Sequence, residues 1–373
     1  MKPAPDPELI RNVLVLQGGG ALGSYQAGVF EALAEAAVQP DWVAGVSIGA
    51  INASLIVGNR PEHRVARLRE FWRRVTASPV GLPALRLPGW EGVEQRIGAT
   101  HALVFGQPGF FRPRSPADWF GDANALSYYD TSDLHATLRE LVDFSLLNSS
   151  PTRLSVGAVD VETGNMIYFD SKQMKLAPEH IMASGALPPG FPPVEIDGRH
   201  YWDGGLVSNT PLQYILLEKP RQHSLIFQVD LFPARGPQPT NLDEVAERDK
   251  DIRYSSRTRT GTNDAGTQQT MRRHIRRFLE RLPQELQDDP VANELREMGC
   301  GALIDVAQLI YRPKVPQGSQ KDYQFDRGTM ERRWAEGLED ARLTLRAAPW
   351  RERPHHDVAF RSFDVTKSLK QHT

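Results

Sequence analysis

The run Trp42-Val43-Ala44-Gly45-Val46-Ser47-Ile48-Gly49-Ala50-Ile51-Asn52-Ala53 holds the residues best placed for covalent chemistry. A short apolar strand pattern enters Gly45-x-Ser47-x-Gly49, and an apolar helix pattern leaves it. In such a pattern the serine occupies a sharp strand-to-helix turn that pushes its hydroxyl out above the sheet edge. Glycines are needed at 45 and 49 because side chains there would clash with neighbouring backbone. The helix that follows aims its N-terminal amides at the serine and favours negative charge developing there. The pentapeptide alone is short enough to arise by chance, and a glycine-flanked structural turn is the plain alternative.

A second glycine group precedes it. Val13-Leu14-Val15-Leu16 reads as a parallel strand buried on both faces and runs into Gln17-Gly18-Gly19-Gly20-Ala21-Leu22-Gly23. A helix pattern follows, with Tyr25, Gly28, Val29, Ala32, Leu33 and Ala36 on one face, and Pro40 closes it. With the Trp42 strand this makes a β-α-β unit with a right-handed crossover. A glycine run opening a helix exposes several amides in one concavity, an anion nest. Adjacent parallel strands place that nest beside Ser47, where it could hold the carbonyl oxygen of an attacked ester. One such donor is worth about 3–4 kcal/mol of barrier. The rival reading takes Gly18-x-Gly20-x-x-Gly23 as a dinucleotide fingerprint with Asp41 about 20 residues on. Against it, the ribose-binding acid should end the second strand, whereas Asp41 precedes that strand and the serine turn holds the place.

A serine needs a base. Asp203 ends a strand pattern and is followed by Gly204 and Gly205, so its carboxylate projects where ligand sites of doubly wound sheets lie. An ordinary Asp-Gly turn is the alternative. None of the ten histidines sits in a glycine-rich turn. The order Ser47, Asp203, His223 suits a histidine-assisted α/β-hydrolase, but His223 opens a strand rather than a loop. No His/Cys/carboxylate cluster has ligand spacing such as H-E-x-x-H, so neither a metal nor another cofactor is expected.

The elements that must position these groups read as follows. Pro61 opens a helix with Val65, Leu68, Trp72 and Val75 on one face and Arg64, Arg67, Arg69, Arg73 and Arg74 elsewhere, a solvated basic face or a lipid-headgroup contact. From Pro79 to Leu126 periodicity disappears, as for a lid, an acyl pocket or a packed surface insertion. A Ser132-capped helix carries Leu134, Leu138 and Leu141. Arg153–Asp160 and Met166–Phe169 form a hairpin about Glu162-Thr163-Gly164-Asn165, and a second hairpin about Asp197-Gly198 leads into Asp203. Helices start at Pro178 and Pro211, and Ser224–Phe232 is a last apolar strand. Pro233-Ala234-Arg235-Gly236-Pro237-Gln238-Pro239 is the best boundary, dividing 1–232 from a mainly helical 233–373. There Met271, Ile275, Phe278 and Leu282 form one helix face, and residues 332–346 are helical as well.

Composition narrows the class. The 373 residues carry 44 basic and 46 acidic side chains, a net charge of −2, which excludes a general nucleic-acid binder. Cys300 is the single cysteine, so no intrachain disulfide forms and a reducing compartment fits. The prolines of Met1-Lys2-Pro3-Ala4-Pro5-Asp6-Pro7 do not suit a signal peptide, and no apolar run approaches the roughly 20 residues that span a bilayer. The expected location is cytoplasmic, with any membrane contact peripheral.

Three ordered motifs resemble those of the patatin-like phospholipases, lipid acyl hydrolases of plants, animals and bacteria. They are Gly18-Gly19-Gly20-Ala21-Leu22-Gly23, Gly45-Val46-Ser47-Ile48-Gly49, and Asp203-Gly204-Gly205 with Asn209-Thr210-Pro211 after it. The resemblance spans roughly residues 12 to 230. It implies a three-layer α/β/α fold with a central, mostly parallel sheet, and a Ser-Asp dyad without histidine. Ser47 would be the nucleophile, Asp203 its base, and the amides of Gly18, Gly19 and Gly20 the oxyanion hole. The substrate would be a lipid or other acyl ester. Tyr323-Gln324-Phe325-Asp326-Arg327 and Trp334-Ala335-Glu336-Gly337 resemble an extension found on some bacterial members. A nucleotide- or lipid-binding module without hydrolase activity is the reading from another class.

Overall fold

The structure, a computed structural model, describes residues 10–77, 105–115, 126–313 and 317–370. Strand β1 (Arg11–Leu16) passes through helix α1 (Ser24–Glu35) to its parallel neighbour β2 (Trp42–Val46), with Leu16 opposite Gly45. Helices α2 (Ile48–Val57) and α3 (Arg64–Val75) follow. A small antiparallel pair, β3 (Arg112–Pro113) and β4 (Tyr129–Asp130), precedes α4 (Ser132–Leu141) and α5 (Phe144–Ser149). Next come β5 (Arg153–Asp160), β6 (Met166–Asp170), α6 (Pro178–Ser184), β7 (Val194–Ile196) and β8 (Arg199–Asp203). Helix α7 (Leu212–Leu217) leads to β9 (Ser224–Asp230). The C-terminal region holds α8 (Leu242–Leu279), α9 (Pro290–Met298), β10 (Ile304–Ile310), α10 (Arg327–Ala347), β11 (Phe360–Phe363) and α11 (Val365–Lys370).

The main sheet runs β11-β10-β9-β1-β2-β5-β8-β7, with β6 also paired to β5. From β11 to β5 every pairing is parallel; β6, β7 and β8 are antiparallel to their neighbours. Successive strand residues point to opposite faces and feed two cores. Leu14, Leu16 and Val43 pack with α1, α2, α3 and α10, whereas Val13, Val15, Trp42 and Ala44 pack with Leu212 and Ile215 of α7. This is the expected α/β/α sandwich.

The sheet also runs across residue 233, the expected boundary. β10 pairs with β9 along its length, Ile304 to Ile310 opposite Ser224 to Asp230. The physical reason is the open edge of β9, whose backbone groups need partners. The signal lies in Leu303-Ile304-Asp305-Val306-Ala307-Gln308-Leu309-Ile310, an apolar run inside a polar region.

Two local expectations change. Thr131, not Ser132, stands at the N-cap of α4, and Asp130 Oδ1 accepts from the Ser132 amide at 2.8 Å. In α8, Met271 and Phe278 are more than half exposed, so the 271–282 stripe is not a core face. The helix instead buries polar side chains, Glu247, Asp251, Ser255 and Gln269 among them. Its partner is a polar loop, as described below. On α3 three of the five arginines pair with acids at the surface: Arg67 with Glu70, Arg69 with Glu31 and Arg74 with Glu140. Of the irregular stretch 79–126, only residues 105–115 and Leu126 are described. Among the described residues no helix is long and apolar enough to cross a membrane.

Helix α10 lies against α1 at backbone contact distance. A Cβ on Gly28 would strike the Trp334 carbonyl, and one on Gly337 the Tyr25 carbonyl. Tyr25 Oη donates to Asp340 at 2.9 Å across the same seam. Gly28→Ala is therefore expected to destabilise the protein by about 1–3 kcal/mol through overpacking. A urea-unfolding midpoint equal to that of the parent would contradict this.

Candidate active site

Ser47 follows β2 with φ 57° and ψ −126°, a left-handed conformation rare for a residue with a side chain. Its N–H is shared between the Ser184 carbonyl at 3.1 Å and Ser184 Oγ at 3.0 Å, and Ser184 Oγ donates to the Gly157 carbonyl at 2.6 Å. Its carbonyl accepts the first helical bonds of α2, from Ala50 at 2.9 Å and Ile51 at 3.2 Å. Both flanking glycines are sterically required. A Cβ at Gly45 would meet the Gly49 carbonyl, and one at Gly49 the Leu16 carbonyl.

Asp203 arrives on the antiparallel strand β8, with β5 lying between it and β2; Ala158 is its partner in register. The carboxylate is buried and is hydrogen-bonded by Ser47 and, at 2.7 Å, by the Gly205 amide. Gly204 lets the chain turn there, since its Cβ would come 2.6 Å from the Gly157 carbonyl. Burial pushes the Asp203 carboxyl up to about 6, against the opposing pull of those two hydrogen bonds.

The glycine loop after β1 faces the same cavity, which Gly18, Gly19, Gly20, Ser47 and Asp203 all line. Gly18 is locked reciprocally to Asn209: its N–H donates to the Asn209 carbonyl at 3.1 Å, and Asn209 Nδ2 donates to its carbonyl at 2.9 Å. That takes the Gly18 amide out of the set of free donors and corrects its expected role. No intramolecular acceptor is found for the Gly19 and Gly20 amides among the described residues. Gly23 plays a packing role, its α-carbon close against Ile48 and Trp72.

Sequence reasoning missed Ser184 and Gln17. Gln17 is fully buried; its Oε1 accepts from the Leu231 and Phe232 amides at 2.5 and 3.1 Å, and its Nε2 donates to Thr210 Oγ1 at 3.0 Å. It ties the glycine loop to the end of β9 and to the loop after Asp203. A polar residue ending an otherwise apolar strand was the available signal. The C-terminal region also reaches the cavity, with Tyr254, Asp322, Tyr323 and Phe325.

No histidine among the described residues lines the cavity. His223 sits at the opposite end of the sheet, beside Arg11 at the start of β1, and its Nδ1 accepts from the Leu303 amide at 3.0 Å. His200 is exposed in the β7–β8 hairpin. The dinucleotide reading also lacks its acid: β2 ends at Val46 with Ser47 after it, and the Asp322 carbonyl packs on Gly20 where a pyrophosphate would approach.

An α/β protein with a serine at such a turn stands with the folds in which that turn presents a nucleophile. A model of the family described as patatin-like phospholipase matches residues 14–216, more than half of the chain, and one described as patatin phospholipase matches residues 252–357. The chain belongs to the patatin-like phospholipase family, which makes it a relative of lipid hydrolases. Among solved structures it is similar to VipD from Legionella pneumophila, with 15% identity, TM-score 0.39, 91% of this chain and 67% of that one covered. It is similar to the type III effector ExoU, with 15% identity, TM-score 0.34, and 91% and 53% covered. ExoU in its heterodimeric complex with SpcU, from the type III secretion system of Pseudomonas aeruginosa, gives 17% identity, TM-score 0.28, and 78% and 58% covered. The chain thus spans little more than half the length of the ExoU chains.

A buried carboxyl raised to about 6 lowers native stability as it ionises. Unfolded aspartate gives up its proton near 3.9, so the full stability is present below that pH and is lost as pH rises to about 6. The gap is worth about 3 kcal/mol. Asp203→Asn, which cannot ionise, should therefore be more stable than the parent at about pH 8, the gain shrinking towards pH 4. Urea unfolding at both pH values checks this, and a variant less stable at the higher pH contradicts it.

Proposed function

We propose that this protein hydrolyses acyl esters of lipids, as a phospholipase A-type serine hydrolase, through Ser47 and Asp203. The observation that carries the reading is the hydrogen bond between Ser47, on its left-handed turn, and a fully buried carboxylate. Ser47 Oγ adds to the ester carbonyl carbon while its proton passes to Asp203. The developing oxyanion takes the Gly19 and Gly20 amides, and the N-terminus of α2 adds favourable potential. Collapse breaks the bond to the leaving oxygen, which receives the proton from Asp203. Water then attacks the acyl-serine with Asp203 again taking the proton, and as the acyl–oxygen bond breaks Asp203 returns that proton to Ser47 Oγ and the acid leaves. An aspartate at its ordinary value is a weak base for a hydroxyl. Burial raises its proton affinity, and the same dry surroundings strengthen the oxyanion contacts. The absence of any described histidine at the cavity supports a dyad over a histidine-assisted triad.

Ser47→Ala should abolish ester hydrolysis and labelling by a fluorophosphonate, and Asp203→Asn should cost roughly 10²–10⁴-fold in kcat/KM. The double variant should be scarcely worse than Ser47→Ala alone, because the two act as a unit. His200→Ala and His223→Ala should stay within about tenfold of the parent. The acid limb of kcat/KM should titrate near the Asp203 value, about 6, with activity rising as the carboxylate forms. The reading fails if Ser47→Ala keeps turnover, or if a histidine variant collapses while Asp203→Asn is mildly affected.

A further inference from the structure

The cavity beside Ser47 is small. It holds about 70 Å³ of free space, room for a few waters. The space is limited by aromatic rings that meet from distant parts of the chain. Phe110 and Phe111 come from the segment before β3, and Phe191 from the loop before β7. Phe325 comes from the C-terminal region, 96% buried, with its ring centroid 5.7 Å from that of Phe110 and 6.4 Å from that of Phe111. Phe111 and Phe191 stand 5.2 Å apart, so the three N-terminal rings and Phe325 form one cluster on the cavity.

Phe325 is not free to swing away. The loop that carries it is clamped from both sides. Lys321, 1% exposed at its side chain, donates to Asp251 Oδ1 at 2.6 Å and Glu247 Oε1 at 3.1 Å, both on α8. Lys250 pairs with Asp322 at 2.7 Å. From α10, the buried Arg333 donates to the Lys321 carbonyl and Gln324 Oε1 at 2.9 Å each. Breaking a buried ion pair leaves an uncompensated charge, so moving the loop away from α8 is costly. The Asp322 carbonyl at the same time closes on Gly20, next to the proposed oxyanion donors.

We propose that Phe325 determines acyl-chain length: held by this clamp, it caps the cavity beside Ser47 and, among the lipid acyl esters proposed above, favours those whose acyl group is short. The proposal rests on Ser47 being the nucleophile, as proposed above. A chain of more than a few carbons must displace an aromatic ring that the clamp keeps in place, and that cost falls on the transition state of acylation. The C-terminal region is in this respect part of the substrate site.

The test is kcat/KM of the full chain for p-nitrophenyl acetate, butyrate, octanoate and palmitate, with active sites counted by fluorophosphonate labelling. The parent should prefer acetate or butyrate. Phe325→Ala and the more conservative Phe325→Leu should each raise the ratio of octanoate to butyrate by about tenfold or more, a shift of about 1.4 kcal/mol. A purely structural role for Phe325 would lower all esters together and leave that ratio unmoved, which would overturn the proposal. So would a parent whose kcat/KM climbs to palmitate, and in that case intact labelling of Ser47 would leave the hydrolase reading standing. If the parent neither labels nor turns over any ester, the nucleophile assignment fails and this proposal falls with it. Should Phe325→Ala fail to fold, the ratio for Phe325→Leu decides alone.

Discussion

The site depends on one backbone conformation, that of Ser47 at φ 57°. For a residue with a side chain, such a conformation costs about 1–3 kcal/mol and persists only where the surroundings over-determine it. Here they do. The Ser184 hydroxyl and carbonyl share its N–H, α2 begins on its carbonyl, and Gly45 and Gly49 remove the atoms that would collide. Because Gly49 rests against the Leu16 carbonyl, the turn also sets the distance to β1 and so to the glycine loop that follows it. Nucleophile and amides are thus placed by the same close contact.

The second constraint is the burial of Asp203. A carboxylate removed from water is costly, and two hydrogen bonds offset that only in part, which is why its affinity for a proton is high. The surrounding structure accepts this local instability. Around it, Gln17 links the glycine loop, the end of β9 and the Thr210 loop through bonds that are all buried. Such a network rigidifies because every unmade bond in a dry interior is expensive.

The C-terminal region is held by two unlike interfaces, one to the N-terminal part and one within itself. Against α1, helix α10 packs glycine to backbone, with Tyr25 and Asp340 bonded across the seam. Against α8, the 317–325 loop is held by buried charge and amide groups centred on Lys321 and Arg333. Apolar contact brings the helices together without fixing direction, whereas the polar clamp has one geometry that satisfies its donors. That explains why α8 buries Glu247 and Asp251, a part of the helix where no apolar face was expected.

What the sequence by itself determined is local. The glycines at 18–20, 45 and 49, the apolar strands, the two hairpins and the Asp203 turn are legible because each reflects a short-range steric or periodic demand on neighbouring residues. Strand β10 was legible in principle, as an apolar run masked by its polar surroundings. What only the tertiary structure decided is which distant groups meet. Asp203 reaches Ser47 because β5 carries β2 on one edge and β8 on the other. The Gly18 amide is taken by Asn209, His223 falls at the far end of the sheet, and Phe325 joins Phe110, Phe111 and Phe191. No local pattern encodes these meetings, because they follow from strand order and from which buried polar groups find partners, and both are settled only when the whole chain has packed.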